Sequence, residues 1–330
     1  MAAMSDDNAI AFDPTTLQIC SELRRGFVEP RRVRRDDGAL RFHMVRHGVC
    51  MESATWSNLG PDQRYEALVH ATALMARPGP HIFSHQSAAA VWQLPIVERW
   101  PAKVHVVVEE SKAHSSSVLV RHTQEGATAV LQNGLLVTDV ARTVADLSRE
   151  VGFVDGLAAA DNAMRRGLCE REDLHAEWQR LPPRSPGRAI IRRVAELADS
   201  GAMSAGESLS RGQMFLLRFP QPCLQVAYSD ADGKIGETDF SWPGLVGEFD
   251  GEAKYGPAYN SSPEEMQERI VKEKGREDRL RAIRNKVARW GWTAARDGEP
   301  MARKLIAQGL TPEPRRRWIL LGPIDTEDAA

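Results

Sequence analysis

The chain has 330 residues, more than one ordinary core accommodates, so two or three domains are expected. An apolar share of 42% with 27% charged residues excludes a disordered or fibrous chain. A net charge of −2 excludes a uniformly basic nucleic-acid binder, so any DNA-contacting surface has to be a local concentration of cations.

Residues 1–12 are small and polar, a frayed terminus by composition. Between Ser21 and Arg46 eight arginines stand against four acidic residues. Residues 17–25 read as a helix, and Pro30 opens a second over 30–35, because proline suits a first helical turn. Asp37-Gly38 is a hairpin signal ahead of a strand over 40–45. Helix, helix, then hairpin is the order of a small winged helix over 13–65. Its candidate phosphate contacts are Arg31, Arg32, Arg34 and Arg35; the plain alternative is a solvated basic loop.

Residues 63–75 form a helix whose stripe is Tyr65, Leu68, Val69, Thr72 and Leu74, stopped by Pro78-Gly79-Pro80. Ser84 is placed to cap a helix over 85–92. Apolar runs at 104–108 and 118–122 read as strands. Helices follow over 138–147, 154–166 (with Gly167 as C-cap) and 170–178. The expected middle domain, 66–180, is thus mixed α/β. His85 reads as a packed residue at a helix start and His105 as a strand-face residue. Asp139, Arg142 and Asp146, at spacings of three and four, read as an intrahelical ion-pair ladder. The turn-rich run 181–187, Leu-Pro-Pro-Arg-Ser-Pro-Gly, is the expected domain boundary, with a helix over 188–198 beyond it.

The third domain, 188–298, carries the chemistry, and 299–330 reads as a tail. A helix over 205–219 precedes KIGETDFSWPGLVGEFDG, residues 234–251. Pro243-Gly244 is a turn between two alternating runs. A tight turn there opposes Asp239 to Glu248 and Glu237 to Asp250, with all four carboxylates on one face. Phe240, Trp242, Leu245 and Phe249 fall on the other face and pack. Opposed carboxylates repel and must be solvated, partly protonated or neutralised by a cation. The plain alternative is an exposed acidic face with no ligand. Residues 264–286 form a charged helix with candidate DNA contacts Lys274, Arg276, Arg279 and Arg281. Glu273, Glu277 and Asp278 partly cancel its charge, so a solvated helix with internal ion pairs is the alternative. Residues 287–292 close the domain as a strand.

Other features bound the cofactor and the compartment. Cys20, Cys50, Cys169 and Cys223 are far apart, against a disulfide framework or a zinc knuckle. All nine histidines lie at or before His175, so a metal site in the last 155 residues needs oxygen ligands, favouring magnesium, manganese or calcium. The start, MAAMSDDNAI, lacks the pattern of a signal peptide, and no apolar run reaches bilayer length. A cytoplasmic chain without a membrane partner is expected.

Several stretches of residues 17–180 resemble the AbiEi family of antitoxins from bacterial type IV toxin–antitoxin systems. They are the basic N-terminal region, Ser84-His-Gln-Ser-Ala-Ala-Ala90 with Leu94-Pro95, the strand around His105, the run from Val137 to Leu147, and Asp161 with Arg165-Arg166-Gly167-Leu168. The resemblance implies a DNA-binding repressor that opposes a nucleotidyltransferase toxin encoded nearby. Pro30 interrupts the expected recognition region.

Residues 203–296 resemble the PD-(D/E)XK nuclease superfamily, nearest its branch related to very-short-patch-repair endonucleases. The matching pieces are Glu207-Ser208 with Arg211, Asp239-Phe240 with Trp242, Glu248-Phe-Asp-Gly251 with Lys254-Tyr255, and the Glu273 to Arg281 helix before Trp290-Gly-Trp292. The resemblance implies a restriction-endonuclease-like domain using Mg2+ or Mn2+ on DNA. Asp239, Glu248 and Glu207 would hold the metal, with Asp250 a further ligand and Lys254 acting on the attacking water. The signature wants lysine where Asp250 stands, so Lys254 or Lys274 must supply it. Two functions remain open: a metal-dependent nuclease with an antitoxin-like targeting part, and a non-enzymatic repressor whose nuclease fold only binds DNA. A protein-binding scaffold is a third.

Overall fold

The computed structural model describes residues 12–76, 80–108, 116–123, 128–251, 263–283, 286–315 and 317–318. Among them are twelve α-helices and three sheets, the α/β multidomain class expected.

After a 3₁₀ turn at Pro14–Thr16, β1 (Gln18–Ile19) runs into α1 (Cys20–Arg25). β2 (Phe42–Arg46) and β3 (Val49–Glu52) complete a sheet of order β1-β3-β2. α2 (Ser53–Asn58) and α3 (Pro61–Leu74) follow. The Asp37-Gly38 turn forms as expected: Arg34 bridges Leu40, and Gly38 takes φ +80°. The helix expected over 30–35 does not form. That stretch is a turn in which Arg32 and Val33 both donate to the Glu29 carbonyl, and Arg35 donates to Ala39 across the hairpin. The hairpin claims the last residues of a segment too short to repay helix nucleation. The second helix of a winged helix is therefore missing from this position.

The middle sheet has order β6-β5-β4-β8-β7. Its strands are β4 (Ile82–Phe83), β5 (Val104–Val108), β6 (Leu119–Thr123), β7 (Ala129–Gln132) and β8 (Leu135–Thr138), with α4 (His85–Trp92) after β4. β5 pairs parallel with β6, and β4 parallel with β8. β7 and β8 join at Asn133-Gly134, both at positive φ, the backbone of a tight hairpin turn. Then come α5 (Val140–Glu150), α6 (Phe153–Arg165), α7 (Arg171–Arg180) and α8 (Arg188–Leu197). α8 buries Val194 and Ala195 in one cluster with Val144 of α5 and Ala159 of α6, so residues 181–187 turn between packed helices rather than between separate cores.

The last unit runs α9 (Ala205–Leu216), β9 (Cys223–Asp230), β10 (Gly233–Trp242), β11 (Leu245–Asp250), α10 (Pro263–Ala282) and β12 (Lys286–Gly291). β9, β10 and β11 form an antiparallel meander, and β12 adds parallel to β11. Gly244 turns at φ +74°, and the pairs Trp242–Leu245, Ser241–Val246 and Phe240–Gly247 are those that the Pro243-Gly244 turn predicts. Phe240, Trp242, Leu245 and Phe249 pack with Trp290 and with Leu209 and Met214 of α9. Ile235, Val246 and Val287 pack with Leu280 of α10, so the sheet lies between the two helices. The stretch expected to be a tail is folded: α11 (Trp292–Asp297) leads to α12 (Glu299–Ala307), and Met301, Leu305 and Trp318 are buried in the large core. That core also holds Leu157 and Ala158 of α6, joining the middle and last units.

Candidate functional site

Three predicted site carboxylates are brought to one end of the last sheet, where they divide into two sets. Glu207 is the third residue of α9; its N–H is capped by Ser204 Oγ, and its side chain reaches back over the helix start. Ser204 Oγ donates to Glu207 Oε1 at 2.8 Å, and the Met203 N–H and Gln225 Nε2 donate to Oε2, each at 2.9 Å. Burial, with Asp239 close by, pushes the Glu207 carboxyl up to about 7. Asp239 Oδ2 accepts from the Phe249 N–H at 2.7 Å. The regular ladder ends at Phe240–Gly247, and this side-chain bond ties Asp239 to β11 beyond it.

Glu248 is buried and held by two guanidinium groups: Arg276 bonds Oε1, and Arg289 bonds Oε2 at 2.6 Å. Burial pushes its carboxyl up and the arginines pull it down; with two guanidinium groups in bonding contact, the ionised form is the one the geometry requires. Asp250 is half-buried at the strand end, and its charge reaches Arg289. Glu237, expected on the same face, is exposed and paired with Lys234 at 2.8 Å.

The predicted DNA-contacting cations are mostly engaged within the chain. Arg276 holds Glu248 and Glu273, Arg279 holds Asp230 at 2.5 Å, and Arg281 holds Glu277 at 2.7 Å. Lys274 is exposed on α10. In the N-terminal unit Arg35 pairs with Asp37, and Arg34 donates to the Gly38 carbonyl at 2.7 Å, while Arg31 and Arg32 are exposed. Lys254 lies outside the described residues.

A second cluster, unexpected as a site, sits on the middle sheet. His105 and Val107 alternate onto one face of β5, and Val107 pairs with His122 of β6, so the two histidines share that face. His105 Nδ1 and His122 Nε2 are 3.0 Å apart. His85, first residue of α4, stacks on His122 with ring centroids 3.7 Å apart and planes 15° apart. Its Nδ1 meets Ser84 Oγ at 3.0 Å and lies 3.8 Å from Asp146 of α5. Ser84 occupies the N-cap position but makes no capping bond with its side chain. Asp146 is in turn held by Arg142 at 3.1 Å, one rung of the expected ladder; Asp139 instead caps α5, accepting from the Arg142 N–H. Burial, then the neighbouring imidazoles, push His85 well below its ordinary value, and the same causes take His105 down to about 4; burial lowers His122 as well. Among the described residues, this is the one trio of His, Cys, Asp or Glu side chains whose ligating atoms all lie within 4.8 Å of one another.

No protein-family model matches the chain. It is 28% identical over 142 residues to two curated proteins of Mycobacterium tuberculosis, the uncharacterized protein Rv2248 of strain H37Rv and the uncharacterized protein MT2308 of strain CDC 1551. Each match takes in 43% of this chain and 52% of the relative, so the chain spans about half the length of the curated relatives it matches.

Proposed function

We propose that this chain acts on DNA as a metal-dependent endonuclease: a PD-(D/E)XK-type C-terminal domain fused to an AbiEi-antitoxin-like DNA-binding part. The observation that carries this reading is Asp239 at the end of the β10–β11 ladder, bonded to the Phe249 N–H of β11 and close to the buried Glu207 of α9. The order helix, three-stranded meander, helix, parallel strand supports it.

The donor set is hard oxygen, and a carboxyl pushed up by burial and then by Asp239 beside it is one that a bound Mg2+ or Mn2+ would hold ionised. Asp239, Glu248 and Glu207 would hold the ion, with Asp250 at the edge, and it would supply an activated water and charge compensation at phosphate. Glu248 must first leave Arg276 and Arg289. A DNA phosphate competes for those same guanidinium groups, since both anions take bidentate hydrogen bonds. Lys254 or Lys274 then orients the attacking water, and the exposed Arg31, Arg32 and Lys274 hold backbone phosphates without reading sequence.

A second reading, a non-enzymatic repressor or antitoxin with an inactive nuclease fold, is favoured by two observations. Asp250 stands where the signature has lysine, and Glu248 is already neutralised by two arginines. Plasmid cleavage in Mg2+, Mn2+ and chelator separates the readings. The nuclease reading expects metal-dependent nicking that Asp239→Asn abolishes while DNA affinity is kept or improved. It also expects Lys254→Ala or Lys274→Ala to slow cleavage without loss of metal binding. Absence of cleavage on supercoiled, linear and single-stranded DNA, with no metal detected by calorimetry, leaves the repressor reading.

A further inference from the structure

We propose that His85, His105 and His122 form a binding site for a transition-metal dication of the zinc class, separate from the carboxylates of the last sheet. The three residues come from a helix start and two parallel strands, yet their ligating nitrogens lie within 4.8 Å of one another. Tetrahedral ligands at zinc distance stand about 3.4 Å apart. The His105 and His122 nitrogens are already at 3.0 Å, so a metal would replace the proton they share, and small ring rotations bring in His85.

The chemistry of the pocket agrees with its geometry. Three imidazoles are a nitrogen set that suits zinc, copper, nickel or iron rather than magnesium. Ligation needs them neutral, and the burial of His85 and His105, with His122 half-buried against them, favours that form. A metal-bound imidazole typically engages a carboxylate or hydroxyl through its other nitrogen. Ser84 Oγ and Asp146 flank Nδ1 of His85 in that way, leaving Nε2 for the ion. Arg142 and Glu177 continue the chain of charges behind Asp146. His85 also holds φ +51°, a conformation that L residues rarely adopt and that fixes the direction of its ring at the start of α4. Packing alone gives no reason to gather three imidazoles, two buried and one half-buried, with a hydrogen bond joining two of them. Three protein ligands leave a fourth position for water or a small anion.

The test uses the full chain without a histidine tag, stripped with chelator and titrated with Zn2+ by calorimetry, with Co2+ as the optical probe. One equivalent of Zn2+ per chain is expected, with Co2+ giving a tetrahedral spectrum. His122→Ala, at the least buried of the three, should remove that equivalent, and Asp146→Asn should weaken it by roughly 10–100-fold. Asp239→Asn should leave it unchanged, which distinguishes this site from the carboxylates. No zinc binding, or the same stoichiometry and affinity in His122→Ala, overturns the proposal. If His122→Ala does not fold, X-ray absorption of the wild-type zinc complex decides: three imidazole nitrogens support the site, and an oxygen or sulfur shell overturns it.

Discussion

Glu66 and His70 lie one helical turn apart on α3, 3.9 Å from each other and almost wholly buried. Close as they are, they are not an ion pair. Burial pushes Glu66 up to about 7 and His70 down to about 4, so between those values both are neutral. The folded chain holds the Glu66 proton more tightly than the unfolded chain does, so the stability from that carboxyl is present below 4.5 and is lost as pH rises through about 7. His70 works in the opposite sense: its contribution is present above 6.5 and is lost as pH falls through about 4. The two slopes oppose each other over the shared window. Glu66→Gln removes one of them, so its stability relative to wild type should rise between pH 4.5 and 7, by on the order of 3 kcal/mol. Urea denaturation at pH 5 and pH 8 reads this directly; a difference that does not change with pH would show Glu66 to be solvated. The carboxyl was legible in the sequence only as a polar residue inside an apolar helix, since burial is a property of what packs on it.

α9 crosses the last sheet closely because its second residue has no side chain. A Cβ on Gly206 would overlap the Phe249 ring, so helix and strand can approach at this point only with glycine. Gly206→Ala should therefore cost about 1–3 kcal/mol by overpacking, read as a lower melting temperature. Phe249→Leu in the same chain should recover part of that loss, because the two substitutions relieve one contact. If Gly206→Ala melts like the wild type, the helix is further from the sheet than described. The consequence reaches the site, since α9 carries Glu207 and β11 carries Glu248. The alternation of β10 and β11 and the turn residues between them made this hairpin readable. β4 and β8 were not: two residues at Ile82–Phe83 are too few to show a period, and that strand exists because β5 and β8 flank it.

The middle and last units are tied by a buried ion pair. Arg211 of α9 places Nη2 at 2.6 and 2.7 Å from the two oxygens of Asp161 on α6, and Nη1 at 2.7 Å from the Leu197 carbonyl. Both side chains are out of solvent, on the two helices whose Leu157 and Leu209 share one apolar cluster. Removing one partner strands a charge, so Asp161→Ala should destabilise the chain by about 3–5 kcal/mol. Because the core is continuous, the fluorescence of the eight tryptophans, which lie in the middle and last units as well as the first, and far-UV circular dichroism should follow one unfolding transition in wild type. Two separated transitions would show that the units fold apart. Asp161 and Arg211 each stood out in the sequence, within different resemblances, but 50 residues of chain separate them and no local pattern links them.

Sequence alone determined the features that neighbouring residues decide. Helix spans follow apolar spacing, Gly167 and Gly244 turn where L side chains are disfavoured, and alternation around Pro243-Gly244 opposes Phe240 to Gly247. Tertiary structure decided what depends on distant segments meeting. It turned the arginines of α10 and β12 onto Glu248, folded α12 and Trp318 into the core, and packed α8 on α5 and α6. It also gathered His85, read as a packed residue at a helix start, His105, read as a strand-face residue, and His122, which the sequence marked only as the end of a strand. Their convergence depends on the parallel register of β5 and β6 and on α4 crossing above it, and a strand's alternation says which residues share a face without saying which strand lies beside it.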